Sequence, residues 1–188
     1  MLELRIQGRG GQGSVTAANI LAQAAYYSNL SARSFPMYGA ERRGAPVVAF
    51  LRVDQKPILS RSMIDNPDCV MVIDPKLMKT VPILNGLKQN GMLILNTSKS
   101  IEEIQTELKG NYSKIAVLDA TRLAQEVLGR PITNTVMLGA FSRAYPEISL
   151  ENLSKAIRDM FGPKGSELNI RAAELAYEQT VVREVSAS

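Results

Sequence analysis

Apolar residues recur along the chain in two rhythms. Short β-rich runs sit at Leu2 to Gln7, Ala32 to Tyr38, Val47 to Val53, Cys69 to Ile73, Met92 to Leu95 and Lys114 to Leu118. Between several of them lie stretches with apolar residues three and four apart: Ser14 to Asn29, about Leu77 to Leu87, and Ile101 to Leu108. Strands alternating with helices predict an α/β fold, a Rossmann-like open, mainly parallel sheet with flanking helices. From Ala120 the pattern is helical throughout: Thr121 to Leu128, Asn134 to Ala144, Leu150 to Phe161, then Glu167 to Val182. Pro131, Pro146 and Pro163 fall between these helices, where a missing N–H does least damage. The C-terminal third is therefore expected to be helical, ending in a frayed tail from Arg183 to Ser188. Met137, Leu138, Met160 and Phe161 fall at helical spacing and read as core, as do Tyr26 and Tyr27.

Composition narrows the function classes. The chain has 188 residues, 45% of them hydrophobic, enough to bury one compact core, so residues 1–188 are expected to form a single domain. Cys69 is the only cysteine and there is no histidine. A cysteine-ligated cluster, a His-based triad and a His metal site all need residues the chain does not have, and Cys69 itself reads as core. Residues 1–60 hold seven Lys/Arg against three Asp/Glu, and the remainder holds fifteen of each, so the whole +4 surplus lies in the first third. An anionic partner should meet that end. The basic residues are scattered and lack interleaved aromatics, which argues against nucleic acid. No apolar run approaches the roughly 20 residues of a spanning helix, and the start lacks a basic-then-apolar leader, so a cytoplasmic chain away from the membrane is expected.

Two segments carry candidate chemistry. Gly8-Arg9-Gly10-Gly11-Gln12-Gly13 satisfies G-x-G-x-x-G between a strand and a small-residue helix, where backbone N–H groups can cradle an anion. Dinucleotide binding also needs an acid ending the second strand, and Ala32 to Tyr38 offers none. Glu41 is the nearest acid, and it adjoins Arg42 and Arg43. NAD or FAD is disfavoured; the alternative is a turn whose glycines serve only packing. The second segment runs Phe35-Pro36-Met37-Tyr38-Gly39-Ala40-Glu41-Arg42-Arg43-Gly44-Ala45-Pro46-Val47. Its guanidinium forks suit phosphates or carboxylates, so Arg42 and Arg43 could hold a phosphate-bearing ligand or an acidic patch of a partner. The bland reading is a solvated turn.

The start Arg5-Ile6-Gln7-Gly8-Arg9-Gly10-Gly11-Gln12-Gly13 with Val15-Thr16-Ala17-Ala18, and the loop Tyr38-Gly39-Ala40-Glu41-Arg42-Arg43-Gly44-Ala45-Pro46-Val47, closely resemble the gamma subunits of pyruvate and related 2-oxoacid:ferredoxin oxidoreductases. Asn134-Thr135-Val136-Met137-Leu138-Gly139-Ala140 resembles that family's C-terminal helix. The resemblance implies a subunit of an enzyme that converts a 2-oxoacid, coenzyme A and an oxidised acceptor to acyl-coenzyme A, CO₂ and reduced acceptor. It places thiamine diphosphate, Mg²⁺ and [4Fe–4S] clusters on alpha, beta and delta partner subunits, with electrons passed to ferredoxin or another acceptor. It assigns this chain no catalytic residue and no metal ligand. Gly8, Arg9, Gly10, Gly11, Gln12 and Gly13, with Arg42 and Arg43, would contact coenzyme A phosphates or a partner subunit. The Glu-Arg-Arg-Gly-Ala-Pro form of the loop resembles the pyruvate, branched-chain and aryl-oxoacid branches, with pyruvate the first expectation. A subunit of this kind should expose more apolar surface than a lone protein. The rivals are a stand-alone Rossmann-type nucleotide-binding oxidoreductase and a purely structural interaction subunit.

Overall fold

A computed structural model of the chain describes residues 1–37, 44–60 and 62–185. Seven strands form one sheet: β1 (Leu2–Arg9), β2 (Ser31–Pro36), β3 (Pro46–Asp54), β4 (Cys69–Val72), β5 (Gly91–Asn96), β6 (Tyr112–Leu118) and β7 (Val181–Glu184), in the spatial order β2-β3-β1-β4-β5-β6-β7. The steps β1–β4, β4–β5 and β5–β6 are parallel, whereas β3 runs antiparallel to both of its neighbours and β7 antiparallel to β6. Five strands thus point one way and two the other, so the mainly parallel sheet expected from the alternation is present. Its departure from a plain Rossmann order is the insertion of β3 between β1 and β2. The segment Val47 to Val53 is rich in β-branched and aromatic residues and returns after a short loop, which lets it pair on both sides.

Among the described residues six helices accompany the strands: α1 (Ser14–Tyr27), α2 (Leu77–Thr80), α3 (Ile101–Glu107), α4 (Ala120–Leu128), α5 (Asn134–Ala144) and α6 (Leu150–Gln179). Strand alternation sorts the core. Leu4 and Ile6 with Ala49, Leu51 and Val53 face α1, and this layer continues through Met71, Ile94 and Ala116 to α4, α5 and α6. Val70, Val72, Leu93, Leu95 and Ile115 point to the other face, against Leu77, Ile83, Ile101 and Ile104. The central strands β4 and β5 are buried on both faces, as a parallel sheet with two covers requires.

Three expectations need correction. The last helix stops at Gln179 rather than Val182, and the tail expected from Arg183 is not frayed at its start: Val181 to Glu184 pair with Lys114 to Val117 as the edge strand β7, while residues 186–188 lie outside the described residues. Val181 and Val182 alternate like a strand, and β6 offers an edge whose N–H and C=O groups need partners. The helix around Leu77 to Leu87 closes after one turn, because Pro82 disfavours helical backbone at Val81, which is extended at φ −134° and ψ 150°. Tyr26, Met160 and Phe161 are exposed rather than core, while Met137 and Leu138 are fully buried. The break before Pro163 stands as expected: Gly162 adopts φ 71° and ψ 174°, dividing α6 into two helical segments. Cys69 is buried and unpaired, and burial pushes its thiol well above the usual range. Among the described residues, no helix is long and apolar enough to cross a membrane.

Candidate functional site

Strand β1 runs through Gly8 and Arg9 before the chain turns into α1. The turn is held by its own side chains. Arg9 N–H donates to Gln12 Oε1 at 2.7 Å, Gln12 N–H returns a bond to Arg9 O at 3.0 Å, and Gln12 Nε2 donates to Asp74 Oδ2 at 2.7 Å. Asp74 follows β4, the parallel neighbour of β1, and its other oxygen accepts from Lys76 N at 2.8 Å. Arg9 Nε lies 3.2 Å from Asp74 Oδ2, an ion pair without hydrogen-bond alignment. Asp74 is buried, so this carboxylate is the fixed point on which the turn hangs. Nothing in the spacing of the Gly-rich segment pointed to a residue 62 positions beyond Gln12; only the β1–β4 pairing brings it there.

Two glycines of the turn have reasons the structure makes explicit. A Cβ on Gly8 would stand 2.3 Å from Ser14 Oγ, so a side chain here would displace that hydroxyl at the helix start. Gly13 is the N-cap of α1 in the left-handed region at φ 79°, and a Cβ there would meet Asn134 Nδ2 at 2.5 Å. Asn134 is the first residue of α5. The Gly-rich segment and the start of α5, far apart in the chain, therefore pack against each other at this turn.

The helix start is electrostatically open. No side chain caps α1, and its first turn contains no acid. The first bond closing the helix runs from Ala17 N–H to Gly13 O, which leaves the N–H groups of Ser14, Val15 and Thr16 outside the helical ladder. Ser14 Oγ is buried and has no hydrogen-bond partner among the described residues. Unpaired donors at a positive helix end favour an anion.

The Arg-rich loop is joined to this turn at its root. Gly10 N–H donates to Ala45 O at 2.9 Å, Gly44 N–H to Gly10 O at 3.3 Å, and Arg9 Nη1 to Gly44 O at 3.0 Å. The two segments singled out in the sequence are thus adjacent. Arg42 and Arg43 lie outside the described residues. Arg9 is engaged by Asp74 and Gly44, so it straps the turn to the loop.

The remaining parallel strands end on the same rim. Asn96, ending β5, is buried and donates from Nδ2 to Ile73 O at 2.8 Å and Thr121 Oγ1 at 3.0 Å, while its Oδ1 accepts from Thr121 N at 3.2 Å. A cavity of about 660 Å³ opens there beside Lys76, Lys79, Thr97 and Lys99. Open α/β sheets bind ligands outside the carboxyl ends of their strands, and the Gly-rich turn lies on that edge. No group of three or more Cys, Asp or Glu side chains suited to a metal ion occurs among the described residues.

Comparison with known proteins adds an independent finding. The family model described as Pyruvate ferredoxin/flavodoxin oxidoreductase matches residues 3–179. The chain is 50% identical over 185 residues to the pyruvate/ketoisovalerate oxidoreductases common subunit gamma of Pyrococcus furiosus, covering 98% of this chain and 100% of the relative. It is 47% identical over 179 residues to pyruvate synthase subunit PorC of Methanocaldococcus jannaschii, covering 95% and 97%. Among solved structures, pyruvate oxidoreductase subunit PORC of Thermotoga maritima superposes with a TM-score of 0.84 at 39% identity, covering 97% and 98%.

Proposed function

The chain belongs to the pyruvate ferredoxin/flavodoxin oxidoreductase family, and on that premise we propose that it is the gamma subunit of a 2-oxoacid:ferredoxin oxidoreductase complex. The observation that carries this reading is the match to gamma subunits at about half identity along the full length of both chains. The complex oxidises a 2-oxoacid with coenzyme A to acyl-coenzyme A and CO₂ and reduces its acceptor. Pyruvate is the first substrate to test. The relatives' name joins pyruvate and ketoisovalerate to one common gamma subunit, which agrees with a 2-oxoacid pocket on other subunits. With one cysteine and no histidine, this chain is a non-catalytic member; thiamine diphosphate, Mg²⁺ and [4Fe–4S] clusters belong to its alpha, beta and delta partners. A cytoplasmic location fits that assignment.

The part proposed for this chain is to help enclose coenzyme A. The Gly8–Gly13 turn receives a coenzyme A phosphate on the open start of α1, where Ser14 Oγ and the uncapped N–H groups supply donors. Arg9 keeps the turn and the Arg loop together, and Arg42 and Arg43 supply further charge to the phosphates or to a partner. What supports this is the unpaired, buried Ser14 hydroxyl beside uncapped helix N–H groups. A stand-alone dinucleotide enzyme is disfavoured because β3 separates β2 from β1, so the end of β2 does not neighbour the Gly-rich turn.

The test uses the chain with its native partners. Viologen reduction is followed with pyruvate, 2-oxoisovalerate, 2-oxoglutarate and phenylglyoxylate, each with and without coenzyme A. Coenzyme A-dependent reduction with one of them is expected. Ser14→Ala should raise the KM for coenzyme A by about tenfold, the value of one hydrogen bond to a charged group, and leave subunit stability intact. An unchanged KM in Ser14→Ala and Arg42→Ala would remove coenzyme A from this turn.

A further inference from the structure

The face of the sheet opposite α1 is covered unequally. Over β4, β5 and β6 it packs against α2 and α3. Over β1, β3 and β2 none of the described helices lies on it. Register places Arg5 opposite Phe50, Gln7 opposite Val48, and Phe35 opposite Phe50, so these side chains share that face. A pocket of about 470 Å³ opens there, lined by Arg5, Gln7, Val48, Phe50, Met63 and Leu77.

The floor of this pocket has unfinished chemistry. Arg5 is 9% exposed and donates from Nη2 to Ile83 O at 2.9 Å and Asn85 O at 2.6 Å, while its Nε has no partner among the described residues. No ion pair joins Arg5 to a carboxylate among the described residues, in contrast to Arg52 on the same face, which pairs with Glu3 at 3.0 Å. Burial lowers the Arg5 pKa and no neighbouring charge raises it back. Gln7 is 8% exposed, and its Oε1 accepts nothing. A buried guanidinium facing carbonyls alone, beside an unpaired carboxamide oxygen, costs free energy that an incoming group could recover. Around the mouth, Met37 and Met63 are about half exposed. Apolar side chains standing in water at the edge of a charged floor have the composition of an interface waiting for its partner.

We propose that this pocket receives a segment of a partner subunit in which an acidic side chain is flanked by apolar residues. Its carboxylate accepts from Arg5 Nε, its main-chain N–H donates to Gln7 Oε1, and its apolar neighbours cover Met37 and Met63. The inference rests on the gamma-subunit reading above and adds where and by what chemistry the subunit is held. Charge complementarity decides the occupant: an apolar segment alone would bury the guanidinium more deeply without compensating it.

The experiment compares assembly with stability. Wild type, Gln7→Leu and Arg5→Met chains are titrated with the remaining subunits of the complex, and each isolated chain is melted. Gln7→Leu should keep or raise the melting temperature, since an unpaired buried amide gives way to an apolar group of similar size. It should also weaken association by about tenfold or more. Arg5→Met should weaken association further. Unchanged association of Gln7→Leu overturns the proposal. So does a fall in the stability of the isolated Glu41→Gln chain equal to that of Arg5→Met, which would make the chain's own Glu41 the occupant. Saturable binding of isobutyrate to the isolated wild-type chain, lost in Arg5→Met, would make it a small-carboxylate site and also overturn it. If wild type itself fails to associate, the gamma-subunit reading falls and this one with it; loss in the variants alone speaks only to the pocket.

Discussion

Replacing Gly13 by alanine tests how the turn is built. Two costs add at this position. The backbone sits at φ 79°, in the left-handed region, which costs an L-residue roughly 1–2 kcal/mol over glycine. The new methyl would also stand 2.5 Å from Asn134 Nδ2 and 3.2 Å from Asn134 Cγ. The nearest atoms belong to the end of a side chain, so Asn134 can rotate away. But it is buried at the start of α5, and moving it off a favoured rotamer costs about 1 kcal/mol more. The sum is about 2–3 kcal/mol. For a chain of this size each kcal/mol lowers the melting temperature by about 2–4 °C, so Gly13→Ala should melt about 4–12 °C below wild type.

A double-mutant cycle separates the two costs. Urea unfolding is measured for wild type, Gly13→Ala, Asn134→Ala and the pair. In the Asn134→Ala background the clash is gone and only the backbone term remains, so Gly13→Ala should cost about 1–2 kcal/mol there. A Gly13→Ala chain as stable as wild type refutes both terms. An equal cost in both backgrounds refutes the contact between the N-terminal turn and α5, and with it the argument that these distant segments form one structural unit.

Two further outcomes follow from buried groups. Asn96→Ala removes three hydrogen bonds that tie the end of β5 to Ile73 and Thr121, and should destabilise by about 2–4 kcal/mol in the same unfolding assay. Cys69 should resist a thiol reagent such as dithionitrobenzoate in the native chain at pH 8 and react at once in urea, because burial raises its pKa and denies access. Linkage has the matching sign: a thiol whose folded pKa is raised contributes stability below the unfolded value near 8.5. That contribution is lost as pH rises above it, so Cys69→Ala should flatten the alkaline fall in stability.

Much of the sheet was legible because its strands carry continuous apolar runs bounded by turn residues; β4 and β5 sit within a residue or two of where the pattern put them. What the pattern missed was decided by partners. Val181 to Glu184 become a strand because β6 offers a free edge, and no local property of Arg183 or Glu184 announces that. Met160 and Phe161 have core periodicity but lie at the end of a helical segment that Gly162 breaks, so they stand outward. Periodicity reports which residues share a face, and only the packing says whether that face is covered.

The site shows the same division between local and distant information. The strand, Gly-rich turn and helix were readable because they are contiguous. The residues that make the turn rigid are not: Asp74 arrives through the parallel β1–β4 pairing, Asn134 through α5, and Gly44 through the antiparallel return of β3. That geometry also explains why the inserted β3 matters to function. By pairing with β1 along its whole length, from Leu2 opposite Val53 to Arg9 opposite Pro46, it delivers the root of the Arg loop directly onto the turn. A plain Rossmann order would place β2 there and point the loop elsewhere. The chain has exchanged the neighbour that holds a ribose in dinucleotide enzymes for one that brings Gly44 and Ala45, the root of the Arg loop, against the turn. This chain's strand order suits the coenzyme A role proposed above better than it suits a stand-alone dehydrogenase.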